Sequence, residues 1–207
     1  MLKRRVAVWP VAVGYRTART ETAIMRCMAR PSLPPPLVDG QLPHGRWVCT
    51  EEEVKAAYID GQAGDREEIW REWREVTGVL RNIVGEVAAC WLSGSLFTDK
   101  PDPADVDCVY IIDVERLLTA ANSDARHDAF LRYVARSQLK DVYDVRVDSY
   151  ILEWTPTPGP AISDVARGYL RRRGYWDDLW CRVRDEDPRL DSIPRRGYLE
   201  VQLDGYK

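Results

Sequence analysis

The sequence predicts an α/β domain of the α+β kind, built on a short mixed sheet with helices packed mainly on one face. Three observations carry that expectation. Ile69, Trp73, Val76, Leu80, Ile83 and Val87 recur at spacings of three and four, the pattern of a long amphipathic helix. AACWLSGS, residues 88–95, is a short apolar run that ends in Gly-Ser. DVDCVYIID, residues 105–113, alternates, so that Val106, Cys108, Tyr110 and Ile112 share one face of a strand while Asp105 and Asp107 open the other. Val109 and Ile111 continue that second face, so both faces are covered beyond the acids.

The remaining elements follow in chain order. Residues 1–30 carry Lys3, Arg4, Arg5, Arg16, Arg19, Arg26 and Arg30 against Glu21 alone, a net of +6 in a chain whose total is −3. This basic head reads as an extension, with Met28 as the expected natural start and residues 31–207 as a single domain. PSLPPPLVDGQLPHG is an arm in which proline and glycine forbid regular helix. Thr50 and Glu53 form a capping-box pattern, which predicts a helix of about two turns ending near Gly61. Asp65 with Glu68 opens the long helix. Leu117 to Leu139 reads as one or two helices with a break at ANSD, and VYDVRVDSYIL reads as a strand with Val145, Val147 and Ile151 on one face and Asp144, Arg146 and Asp148 on the other. TPTPGP is a linker, Ser163 caps a last helix reaching about Cys181, and GYLEVQL is a final strand.

Composition narrows the function classes. A chain of 207 residues with 45% apolar residues and eight tryptophans has ample core for one domain. Its net charge of −3 argues against a dedicated nucleic-acid binder. Cys27, Cys49, Cys90, Cys108 and Cys181 are scattered without ligand spacing, which points to a reducing, cytoplasmic location. No apolar run approaches the ~20 residues of a membrane span. VAVWPVAVGY after KRR has the look of a signal peptide, but Pro10 interrupts it and no small-residue cleavage site follows.

The chemistry concentrates in WLSGSLFTDKPDPADVDCVYII. A glycine lets backbone approach a phosphate closely, N–H groups at a following helix start attract negative charge, and a serine hydroxyl adds a donor. Gly94 and Ser95 therefore suit a triphosphate. Residues i and i+2 of a strand project from one face, so Asp105 and Asp107 can share the hard oxygen coordination that Mg2+ or Mn2+ prefers. A third carboxylate on a neighbouring strand completes a cluster for two cations. Asp144 and Asp148 share the required face, and Arg146 between them could pair with either or touch a phosphate.

Gly-Ser after a hydrophobic strand, followed after nine residues by Asp-x-Asp, resembles the signature of the DNA polymerase β-like nucleotidyltransferase superfamily. LPPPLVDGQLPHGRWVCTEEEV at 33–54, RGYWDDLW and RRGYLEVQL also resemble a family of small uncharacterised bacterial and phage proteins with this domain. The resemblance covers roughly residues 30 to 203. It implies transfer of an NMP from an NTP to an acceptor, with Asp105, Asp107 and Asp148 as metal ligands and Gly94 and Ser95 at the phosphates. Asp148 is favoured over Asp144 because an acid followed by Ser-Tyr-Ile-Leu fits the family's third strand. The acceptor is a tRNA, a protein or a small molecule, and the resemblance suggests a toxin–antitoxin or phage-defence setting with a partner protein. The alternatives are a non-catalytic nucleotide- or partner-binding module of the same fold and an acid-cluster phosphohydrolase.

Other residues read more plainly. His44 and His127 stand apart from other ligands and indicate no histidine chemistry. Lys100 lies in the loop before the acids, as a solvated lysine or a phosphate contact. Residues 167–196 hold nine arginines and six acids interleaved with Tyr169, Tyr175, Trp176 and Trp180. That pattern reads first as helix core with a solvated arginine face, and second as a stacking surface for RNA.

Overall fold

The computed structural model describes residues 34–155 and 163–206. The basic head, the expected start at Met28 and the linker beyond Thr155 lie outside the described residues. Among the described residues, five strands form one mixed sheet: β1 (Gly45–Cys49), β2 (Ala89–Ser93), β3 (Val106–Asp113), β4 (Val147–Trp154) and β5 (Gly197–Gln202), in the order β1-β5-β2-β3-β4. The pairs β1–β5 and β3–β4 are parallel, and β2 is antiparallel to both β3 and β5.

The helices are α1 (Glu51–Tyr58), α2 (Arg66–Val84), α3 (Val114–Ser123), α4 (Ala125–Ala135), α5 (Leu139–Tyr143), α6 (Asp164–Trp180) and the single turn α7 (Pro188–Asp191). The capping box at α1 is formed on both sides, by Glu53 N donating to Thr50 Oγ1 at 3.2 Å and Thr50 N donating to Glu53 Oε2 at 2.8 Å. Asp65 stands at the N-cap of α2 without capping it through its side chain. Its carboxylate instead accepts from Arg146 Nη1 at 2.8 Å, an ion pair that outcompetes the cap. The expected helix break falls at Asp124, whose extended backbone separates α3 from α4 while its side chain caps Arg126 N.

The sheet separates two apolar layers. On one face, Cys90, Leu92, Cys108, Tyr110, Leu199 and Val201 pack against Val54 of α1, Ile69, Trp73, Val76 and Leu80 of α2, and Leu131 and Val134 of α4. Trp73 is fully buried there, so Trp73→Ala costs about 3–5 kcal/mol. Tyr110 is also fully buried and spends its hydroxyl on Thr77 Oγ1 at 2.9 Å. Ile83 is only partly buried, and Val87 packs from beyond Gly85, which ends α2 at φ 85°. On the other face, Trp91, Val109, Ile111, Leu152 and Tyr198 pack against Tyr169 and Trp180 of α6. The face expected to be open is therefore covered by α6 along part of its length.

Two boundaries differ from expectation. The predicted strand 142–152 begins only at Val147, because residues 139–143 form α5 and Asp144 caps that helix in the left-handed region at φ 55° and ψ 42°. Trp47 and Val48 belong to a strand, β1, that pairs in parallel with β5. A proline- and glycine-rich flank had hidden it.

Candidate functional site

Four segments meet at one end of the sheet. Ser93 ends β2, Asp107 stands at the start of β3 directly opposite it, and Asp148 stands at the start of β4 directly opposite Asp107 on the other side. Residues paired across neighbouring strands face the same way about 4.8 Å apart. The two carboxylates therefore share the α6 side of the sheet. Asp105 lies two residues earlier, just ahead of β3, and is partly buried. Asp144 is exposed at the end of α5, away from this row. Arg146 binds Glu72 Oε1 through Nη2 at 2.8 Å and Asp65 through Nη1, so it joins α2 to the entry of β4 and touches neither Asp144 nor Asp148.

The turn after β2 is shaped by Asp107. Gly94 has φ 90°, and a Cβ there would run into the Asp107 carboxylate and lie 3.1 Å from the Asp107 backbone nitrogen. Only glycine permits that closeness. Ser95 then opens a 3-10 turn of three residues, Ser95–Phe97, so the helix start expected behind Gly-Ser is a single turn. Arg66, at the first position of α2, holds the following loop by donating to the carbonyls of Leu96, Thr98 (3.0 Å) and Lys100 (2.6 Å). The arm closes it from the other side, with Asp99 N donating to Gly40 O at 3.1 Å.

Burial, then Asp148, then Asp105 push the Asp107 carboxyl up to about 6, against an opposing pull from Arg196 and Arg184. Such crowding of negative charge at a buried carboxylate is the condition that a cation relieves. The other two acids have local partners. Lys140 Nζ lies 3.2 Å from Asp105 Oδ2, and the Ser137 hydroxyl donates to Asp148. Among the described residues, no three His, Cys, Asp or Glu side chains stand as a ready-made ligand group. The donor types fit a hard divalent cation, and Lys140 and Ser137 each engage one oxygen of Asp105 and Asp148, leaving the second oxygen of each acid for a cation.

These residues line one cleft of about 920 Å3. Gly94, Ser95, Asp105, Asp107 and Asp148 line it together with Tyr150, Tyr175, Trp176, Trp180, Arg182, Arg184 and Arg196. Lys100 lies at its edge. Residues 35–202 match a family of unknown function, DUF6932. The chain belongs to DUF6932. Every residue of the cleft falls within the DUF6932 span. Comparison with curated proteins and with solved structures finds no match. No helix among the described residues is long and apolar enough to cross a membrane.

Sequence reasoning missed part of the DUF6932 cleft. Arg196 donates to Ser93 Oγ and to Trp180 O, and burial lowers its pKa while Asp107 raises it. Its position just ahead of β5 carries no local signal, because the strand that places it pairs with segments more than a hundred residues earlier. The arginine–aromatic segment was visible as a pattern. Tyr169 and Trp180 are buried in the core, Trp176 packs against it, and Tyr175, Trp176 and Trp180 line the cleft.

Proposed function

We propose that this DUF6932 domain is a metal-dependent nucleotidyltransferase that moves an NMP from an NTP to an acceptor. The observation that supports it best is the row Ser93–Asp107–Asp148 across three adjacent strands, with Gly94 pressed against the Asp107 carboxylate. A nucleotide phosphate laid over Gly94 meets backbone and the Ser95 hydroxyl, and it lies beside carboxylates that repel it unless a cation intervenes. Asp105, Asp107 and Asp148 would hold Mg2+ or Mn2+, which when bound offsets the charge of the triphosphate and of the leaving pyrophosphate.

In that reading Gly94 and Ser95 orient the triphosphate so that its α-phosphorus faces the acceptor oxygen. The acceptor O–P bond forms as the bond to the pyrophosphate breaks in line, and the acceptor proton passes to solvent. Arg196, next to Ser93 and within the field of Asp107, supplies fixed positive charge at the phosphate end of the cleft. The acceptor is a tRNA, a protein or a small molecule, and a toxin–antitoxin or phage-defence role with a partner protein accords with the reading. The test is transfer of label from α-labelled NTPs onto cell RNA or protein by wild type and not by Asp107→Ala.

A second reading has an observation of its own. Lys140 and Ser137 satisfy Asp105 and Asp148 within the protein, as befits a binding module in which the acids are structural. In that case NTP binding is unchanged by Asp107→Ala and by chelation of divalent cations.

A further inference from the structure

Tyr175 is 60% exposed on α6, although a tyrosine of that size commonly covers core. It borders the cleft, and its ring meets Trp176 edge-on with centroids 5.2 Å apart. Trp176 is held from behind by Tyr150 at 4.6 Å and by Trp180 at 4.9 Å with perpendicular rings. Tyr150 follows Asp148 by two residues on β4, so the aromatic wall continues directly from the row of acids along the same face of the strand. A rigid ring system thus reaches from the carboxylates to solvent.

One further feature marks this wall as a binding surface. Arg184 is exposed, lines the same cleft as these rings, lies within electrostatic reach of Asp107 and makes no ion pair among the described residues, whereas Arg182 and Arg195 are paired with Asp178 and Asp185. Flat aromatic surface and an unpaired cation in one cleft together suit a group that is planar and joined to phosphate.

We infer that Tyr175 and Trp176 form a nucleobase-stacking subsite, with Arg184 placed for the adjoining phosphate. The inference rests on the nucleotidyltransferase reading in taking the base to enter beside the acids. Two sources share this chemistry, the incoming NTP and the terminal nucleotide of an acceptor strand. A cleft of about 920 Å3 lies at the upper end of the ~300–1,000 Å3 usual for ligand sites, and so has room for more than the triphosphate alone.

The test is equilibrium binding, in Mg2+, of each of the four NTPs, inorganic tripolyphosphate and a short single-stranded oligoribonucleotide. The full chain is compared with Tyr175→Ala and Tyr175→Phe, and melting temperatures confirm that the exposed substitutions leave the fold intact. Stacking on one ring corresponds to roughly 5- to 150-fold in affinity. Tyr175→Ala is expected to weaken an NTP, the oligoribonucleotide or both by that factor, with tripolyphosphate unchanged and Tyr175→Phe close to wild type. Loss confined to NTPs places the donor base on the wall, and loss confined to the oligoribonucleotide places the acceptor base there. Unchanged affinities in Tyr175→Ala, or tripolyphosphate binding as tightly as every NTP with no binding of the oligoribonucleotide, overturn the stacking subsite and leave the phosphate and metal assignment standing. If wild type binds none of these probes, both that assignment and the subsite fall.

Discussion

Asp107 and Asp148 occupy the same level of two adjacent parallel strands, paired in register on the face that α6 partly covers. Parallel pairing sets side chains of equal register side by side along the ladder, so Asp107 and Asp148 leave the same face from adjacent backbones. Val147 and Ser149, either side of Asp148, are buried against the opposite layer and lock that register. The closeness of the two acids is thus set by the fold. Several outcomes follow from it.

Asp107 links stability to pH. Its folded pKa, about 6, lies above the unfolded value near 3.8, so the folded state holds the extra proton between those limits. Stability contributed by protonated Asp107 is present at low pH and is lost as pH rises from about 4 to about 6. Asp107→Asn removes this loss and is expected to be more stable than wild type at pH 7.5 by on the order of 2 kcal/mol, with little difference at pH 4. Urea denaturation of both proteins at the two pH values measures it.

Divalent cation should stabilise wild type. Mg2+ or Mn2+ at 100 times its dissociation constant raises unfolding free energy by about 2.7 kcal/mol, and EDTA reverses the gain. Asp107→Asn is expected to lose the response. Lys140→Ala, which frees Asp105 from its cation, is expected to bind Mg2+ more tightly than wild type, as read by calorimetric titration.

At Gly94 the constraint is steric. Gly94→Ala places a methyl against the Asp107 carboxylate and forces an L residue to φ 90°. A loss of about 1–3 kcal/mol in stability is expected, with label transfer abolished, because the turn must open away from Asp107 to admit the methyl. Thermal unfolding and the transfer assay together check it.

Arg66 is buried and its guanidinium serves three loop carbonyls. Arg66→Ala leaves those carbonyls to find other partners, at a cost of about 2–3 kcal/mol. Limited proteolysis should then cut between residues 96 and 104 before any other described loop.

The legible parts of this molecule were local. The alternation in Val106–Asp113 and the 3–4 stripe of α2 are short-range patterns, and both elements form where those patterns lie. Asp105, Asp107, Gly94 and Ser95 stood close in sequence, and β2–β3 pairing brings Ser93 and Gly94 against Asp107. The strand reading of 142–146 went astray because alternation alone cannot register Glu72, which draws Arg146 to α2 from 74 positions away. Asp144 caps α5 in the left-handed region, and the β3–β4 register leaves Asp148 as the acid beside Asp107. Arg196 and the aromatic wall of α6 reach the cleft only through long-range packing, and so the residues opposite the acids were readable in composition but not in place.

The most direct measurement is a double-label assay with Mg2+ or Mn2+, in which each NTP carries label at the α- or the γ-phosphate and products are separated from wild type and Asp107→Ala. The account predicts α-label on an acceptor and γ-label in pyrophosphate, for wild type only. Release of γ-label as inorganic phosphate contradicts it in favour of a phosphohydrolase. Equal NTP binding by both proteins without transfer of either label contradicts it in favour of a binding module.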